Sequence, residues 1–260
     1  MDGTSGADWN MAVDEAISQS CRENLSPPTL RFYRWNRPSV TIGRFQKSTP
    51  PPLPVLSMQP DIPVIRRITG GAAVLHDQDL TFSFSAGRVS EGEGNSGIPE
   101  RPRESFLFST RCIRAAMTGL GLETRWGSLT PAGGSQGGDC FSQPASFELL
   151  FRGEKILGCA QRQWKTGLLQ QGSIRLSLLE DVLPPEALND GGHLLGLRIK
   201  AEFERAANVR LVLSKLSLRE EERSQILIRD KYSQPTWNRH GAKGKPVVHT
   251  IDNSLNSARI

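Results

Sequence analysis

The chain is poor in the residues that mark metal, redox and membrane proteins. It has four cysteines in 260 residues: Cys21, Cys112, Cys140 and Cys159. None stands in a C-x-x-C pair, which argues against a zinc ribbon or a dithiol redox site. Disulfides are not expected in a reducing compartment, so a special cysteine here would be special as a nucleophile. No run approaches the roughly 18 apolar residues that a membrane helix needs. The first ten residues, MDGTSGADWN, are acidic and polar and do not resemble a secretory signal. The expectation is a soluble cytoplasmic protein with no membrane partner. There is no internal repeat, no zinc-finger or RRM pattern and no Lys/Arg cluster interleaved with aromatics. Nucleic acid is therefore not expected as a partner.

What remains is a globular composition, 37% apolar and 23% charged, with a net charge of +5. That suffices for one large core, or a main domain with a small appendage. Basic residues gather after residue 197, across 31–47 and at Arg66–Arg67. A basic surface suits an acidic partner.

Trp9, Ala12, Val13, Ala16, Ile17 and Cys21 recur at helical spacing, predicting a helix over 9–22 with Asp8 as its cap. Strands are expected at 29–35 and 39–43, parted by Asn36-Arg37-Pro38, at 62–67, and at 80–85, where LTFSFS alternates. Prolines make 48–54 a loop. Phe106, Ile113, Met117 and Leu120 mark a second helix, stopped by Gly119 and Gly121. A glycine-rich loop covers 128–144, and strands follow at 146–151, 155–160 and 168–176, the first two joined by a hairpin turn at Gly153. Residues 198–231 read as charged helix. The order implies an α+β domain, with helices packed on a mixed or antiparallel sheet, over residues 1–232. Its core spans about 8–190, with 198–231 a helical extension and 233–260 an irregular tail.

Three segments can carry chemistry. Arg66–Asp77 (RRITGGAAVLHD) places consecutive glycines after a strand, where backbone N–H groups can hold a carbonyl or phosphate oxygen. A glycine turn between strands would show the same pattern. Cys140, behind Gly137-Gly138-Asp139, is a nucleophile only if its thiolate is stabilised, and Asp139 works against that. Lys155 opens a strand after a tight turn and could supply the cation, polarising an acyl carbonyl or stabilising the thiolate. Taken singly, Cys140 is an ordinary loop thiol and Lys155 a solvated lysine.

Together these segments resemble the lipoate-protein ligase A/octanoyltransferase superfamily. RRITGGAAVLHD is similar to its R-R-x-[ST]-G-G-x-A-V-x-H-[DE] signature. Cys140–Glu148 (CFSQPASFE) is similar to the segment that bears the cysteine of its cysteine-dependent octanoyltransferases. Gly153–Arg162 (GEKILGCAQR) is similar to the segment holding the signature lysine, and Gln170–Ile174 to the strand after it. The N-terminal stretches Asn10–Glu15 and Val40–Gln46 also match. The likeness covers about residues 8–190. It implies the α+β fold of class II biotin/lipoyl protein ligases. Carried over, Cys140 would hold the acyl group as a thioester and Lys155 would contact the acyl carbonyl. Arg67, Gly70, Gly71, Ala73, His76, Gly158 and Ala160 would bind substrate.

The resemblance further implies an octanoyl acyl carrier protein as donor. The acceptor would be a lipoyl domain, such as the glycine cleavage H protein or the acyltransferase subunit of a 2-oxoacid dehydrogenase. No cofactor is implied; ATP and magnesium would enter only for an ATP-dependent lipoate ligase, the main alternative. A non-catalytic acyl- or carrier-binding relative is the other. No G-R-G-R-x-[GS] motif of a biotin ligase is present. The chain departs from the family at Ala72, Ala145, Cys159 and Gln171, the last standing where a histidine is usual.

Overall fold

A computed structural model describes residues 3–48, 54–88, 98–99, 101–127, 148–184, 188 and 192–240. Cys140, the whole of its glycine-rich loop and residues 241–260 lie outside the described residues.

A short strand β1 (Thr4–Ser5) leads into helix α1 (Ala7–Arg22). The helix starts earlier than expected and its cap is Gly6, with Asp8 in the first turn. The reason is that Thr4–Ser5 pairs beside β2 (Thr29–Trp35), so the chain is already placed before Asp8. The second strand expected, β3 (Ser39–Ile42), leaves β2 for a different sheet. A four-residue helix α2 (Val55–Met58) precedes β4 (Val64–Arg66), β5 (Val74–His76) and β6 (Asp79–Gly87). Helix α3 (Pro102–Gly119) is followed by β7 (Thr124–Trp126), β8 (Leu149–Phe151), β9 (Glu154–Trp164) and β10 (Gly167–Arg175). The β8–β9 hairpin turns on Arg152 and Gly153, at φ 50° and 86°, the left-handed pair that a tight two-residue turn requires.

Seven strands form one mixed sheet in the order β1-β2-β6-β10-β9-β8-β7, parallel only at the β1–β2 edge among these pairings. A small second sheet has the order β4-β3-β5. The alternation in β6 sorts its two faces. Leu80, Phe82 and Phe84 enter the main core with Ile113 and Met117 of α3. Thr81 and Ser83 point the other way, toward α1 and β2, where they bond Trp35 and Asp14.

Past the sheet, α4 (His193–Ala207) packs beside α3, with Ile199 and Phe203 in the same core. Residues 198–231 are not one helix. Asn208 ends α4 in the left-handed conformation, φ 53°. Helix α5 (Leu218–Leu227) starts at a capping box made by Ser217 and Glu220 and runs into a π-helical turn, Ile228–Tyr232. Residues 235–240 are also not irregular; they form α6 (Pro235–His240). Its order comes from tertiary contact, since Trp237 and Asn238 bond Arg66. No helix among the described residues is long and apolar enough to cross a membrane.

Candidate active site

The site lies where the small sheet meets the polar face of the large one. Its frame is set by backbone crowding. A Cβ added to Gly43 would fall onto the Gly71 carbonyl oxygen, so the chain after β3 and the turn after β4 approach as only glycine allows. Gly71 itself is left-handed, at φ 89°.

Arg67 organises this turn. Its Nε and Nη2 donate to the Gly70 carbonyl (3.1 and 2.7 Å), Nη2 also to the Ala72 carbonyl (2.8 Å), and Nη1 to the carbonyl and hydroxyl of Thr41 (3.2 and 3.1 Å). These bonds match the five donors of a guanidinium. Among the described residues, the N–H groups of Gly70 and Gly71 make no hydrogen bond. The arrangement directs the turn's carbonyls at Arg67 and leaves those donors for a ligand oxygen.

Thr41 passes the network to His76, whose Nε2 is 2.9 Å from Thr41 Oγ1 and whose Nδ1 is 2.8 Å from Asp79 Oδ2. Thr41 Oγ1 accepts from Arg67, and whether it donates to His76 Nε2 or accepts from it depends on the state of the imidazole. The ring stacks on Trp35, with centroids 4.1 Å apart. Asp79 Oδ2 also accepts from Thr81 (2.9 Å) and from Ser173. Burial pushes the Asp79 carboxyl up. The charge of His76 and the hydrogen bonds from His76, Ser173 and Thr81 outweigh it and hold the group below its ordinary value.

A second buried carboxylate, Asp14 of α1, stands behind the pocket wall, bonded to the lining residues Tyr33 and Gln171. Its Oδ1 accepts from Arg31 (2.8 Å) and Ser83 (2.7 Å), its Oδ2 from Tyr33 (2.8 Å) and Gln171 (2.7 Å). Burial, and then the Asp14 charge, push the Tyr33 phenol well above its ordinary value, so Tyr33 serves as a neutral donor.

Between these groups is a pocket of about 360 Å³, counted out to its open mouth. Arg67, His76, Gly158 and Ala160 line it, as do Cys159 and Gln171. Gly71 borders it, since a Cβ there would sit 3.6 Å from Ala160 Cβ. Gly70 is not among the lining residues, and Ala73 and Lys155 lie elsewhere. Ala73 packs with Val40 and Ile42 in the core of the small sheet. Lys155 is buried on β9 but is not part of the pocket lining; its Nζ is 2.5 Å from Glu148 Oε1. Burial raises the Cys21 thiol to about 11 and the Cys112 thiol to about 12, which leaves both unreactive.

Sequence reasoning missed Trp35, Thr41, Asp79 and Ser173 as site residues. The signal was partly visible: a strand whose alternate residues are Ser and Thr need not turn them to solvent.

The site is a pocket over an antiparallel sheet, entered beside a glycine turn, in a fold of the α+β class. The chain belongs to the lipoyl protein ligase A/B catalytic domain family, whose model matches residues 7–184. It is similar to proteins named octanoyltransferase LipM. The Oceanobacillus iheyensis protein is 37% identical over 174 residues, 67% of this chain and 62% of that one. The Anoxybacillus flavithermus protein is 35% identical over 70% of this chain and 66% of its own length. The match thus spans slightly under two thirds of these two relatives. The Carboxydothermus hydrogenoformans protein is 32% identical over 90% of this chain and 94% of its own length. Solved structures share the fold. A lipoate-protein ligase A bound with ATP superposes with TM-score 0.70 at 23% identity, over 92% of this chain and 96% of the other. The bipartite lipoate protein ligase of Thermoplasma acidophilum gives 0.66 at 22% identity, over 92% and 94%.

Proposed function

We propose that this protein transfers an octanoyl group from the thioester of an acyl carrier protein to the lysine of a lipoyl domain, through an acyl-Cys140 intermediate, in lipoate biosynthesis. The observation that carries the reading is the pocket at the Gly70–Gly71 turn, in a chain whose relatives are named octanoyltransferase LipM.

In the first step the Cys140 thiolate attacks the donor's thioester carbonyl. A new C–S bond forms and the carrier's thiol leaves. In the second, the neutral amine of the acceptor lysine attacks acyl-Cys140. An amide bond forms, the amine proton is lost, and the Cys140 thiolate is released. In each step negative charge develops on the carbonyl oxygen. The backbone N–H groups of Gly70 and Gly71 are donors suited to it, and Lys155 would act through its ion pair with Glu148, which ends the Cys140 segment. Arg67, with its donors turned to Thr41, Gly70 and Ala72, shapes the turn. Gly158 and Ala160 leave room for the acyl chain. Both bonds broken are thioesters, so the proposed reaction draws on no nucleotide and no metal. The net basic charge favours encounter with acidic carrier domains.

The test is incubation with octanoyl carrier protein without ATP. A mass gain of one octanoyl group, lost in Cys140→Ala and kept in Cys159→Ala, is the expected result. Lipoyl-domain modification only with free lipoate and ATP would instead identify a ligase. No transfer under either condition would identify a binding protein.

A further inference from the structure

The turn that borders the pocket is held from two directions. Arg67 grips the carbonyls of Gly70 and Ala72. From the opposite strand, Gln171 Oε1 accepts the Thr69 hydroxyl at 2.7 Å. Both residues are buried. Thr69 is also tied through its carbonyl, which accepts the Arg44 N–H at 2.8 Å.

An amide can be rotated end for end, so what fixes Gln171 decides what it offers. Its Nε2 donates to Asp14 Oδ2 at 2.7 Å. That carboxylate is acceptor-only when ionised and is anchored by Arg31, Ser83 and Tyr33. The –NH₂ end must therefore face Asp14, and the carbonyl end must face Thr69. A reversed amide would oppose two oxygens at Asp14; the Thr69 hydroxyl, able to donate or accept, follows the polarity that the carboxylate sets. The chain from Asp14 through Gln171 to Thr69 thus has one polarity.

We propose that Gln171 is a positioning residue for acyl transfer: held by Asp14, it fixes the Thr69 hydroxyl and with it the Gly70–Gly71 turn that receives the acyl carbonyl. The proposal rests on the acyl-transfer reading for its catalytic consequence, and its structural part stands without substrate. Gln171 has no proton to gain or lose in the physiological range, so the turn is held equally on either side of neutrality. Histidine repeats the pattern only when neutral, donating to Asp14 from one nitrogen and accepting from Thr69 at the other. Charged or titratable groups around such an imidazole would be Asp14 on α1, Arg31 and Tyr33 on β2, Arg67 after β4 and His76 on β5.

Two measurements test this. The first is amide hydrogen exchange over residues 67–75 in the free protein, with the thermal midpoint as a folding control. Gln171→Ala and Thr69→Val are each expected to raise exchange there several-fold, and the double variant to exchange no faster than the faster single one. Unchanged exchange in Gln171→Ala, or additive effects, would overturn the proposal. The second is octanoyl transfer from pH 5.5 to 8.5. Gln171→Ala is expected to lower kcat on the order of 100-fold, with KM for the donor altered only a few-fold, because a misplaced turn costs rate more than binding. Gln171→His is expected to recover most of kcat at the alkaline end and to lose it toward the acid end more steeply than the wild type, whose own acid loss comes from the Cys140 thiolate and the acceptor amine. A Gln171→His profile parallel to wild type, or wild-type kcat in Gln171→Ala, would overturn it. Should the wild type transfer no octanoyl group, the acyl-transfer reading fails, and the exchange data still decide whether Gln171 holds the turn.

Discussion

Lys155 Nζ lies 2.5 Å from Glu148 Oε1, with both side chains buried. Glu148 is the first described residue after the segment that carries Cys140, and Lys155 opens β9. The pair therefore ties the end of the cysteine segment to the sheet that forms the pocket floor. Removing one partner of a buried pair leaves the other charge without its counterion, at about 3–5 kcal/mol. Lys155→Met should lower stability by that amount in urea unfolding. Lys155→Met/Glu148→Leu should recover a large part of it while octanoyl transfer stays impaired. If the double variant regains transfer, Lys155 acts only through structure.

Arg66 is almost wholly buried and donates to six backbone carbonyls. Those of Gly43, Arg44 and Gln46 lie in the loop after β3, and those of Trp237, Asn238 and Arg239 in α6. One guanidinium joins the glycine frame to the C-terminal helix. Lysine has three donors and no planar fork, so Arg66→Lys strands several carbonyls at about 1–3 kcal/mol each. A loss of at least about 3 kcal/mol is expected. Deleting residues 235–260 should produce a similar loss, and the two changes combined should fall well short of additive. Denaturant midpoints of the three variants check this.

Gly43→Ala should be among the most damaging small changes in the chain. The added methyl would collide with the Gly71 carbonyl, a backbone atom that cannot move without displacing the turn. Strain of about 1–3 kcal/mol or more is expected, and a larger fractional loss of acyl transfer than of stability. Gly70→Ala, where a Cβ meets nothing, should be far milder in stability. Thermal midpoints and transfer rates of the two variants make the comparison.

Asp79 has a defined pH signature. Its carboxyl is held below its ordinary value, so ionised Asp79 contributes stability that is fully present above the unfolded value, about 3.9, and is lost as pH falls through the folded one. The stability gap between wild type and Asp79→Asn should shrink as pH falls below about 4. A gap that widens in acid would reverse the sign and refute the assignment. Thermal melts at falling pH decide it.

Much of this was legible in the chain. The periods of α1, α3 and the strands could be read because burial on one face leaves a repeat of 3.6 or 2 in the sequence. The β8–β9 turn could be read because Arg152-Gly153 must both take positive φ. The helices after residue 192 were read less well. The break at Asn208 and the restart at Ser217 depend on capping, and α6 depends on Arg66, more than 160 positions away. The role of β6 was half visible: its alternation could be read, while nothing local showed that Thr81 and Ser83 are buried partners of Trp35 and Asp14.

The sequence by itself determined the family, the α+β class and the glycine turn, because those rest on residue types in local order. Tertiary structure alone decided what the polar residues do. It closed Arg67 onto the turn it precedes, gave Lys155 to Glu148, and placed Gln171 between Asp14 and Thr69, which lie 157 and 102 positions away. A buried hydrogen-bonding group takes its meaning from its partner, and partners so far apart in the chain are chosen only when the sheets pack.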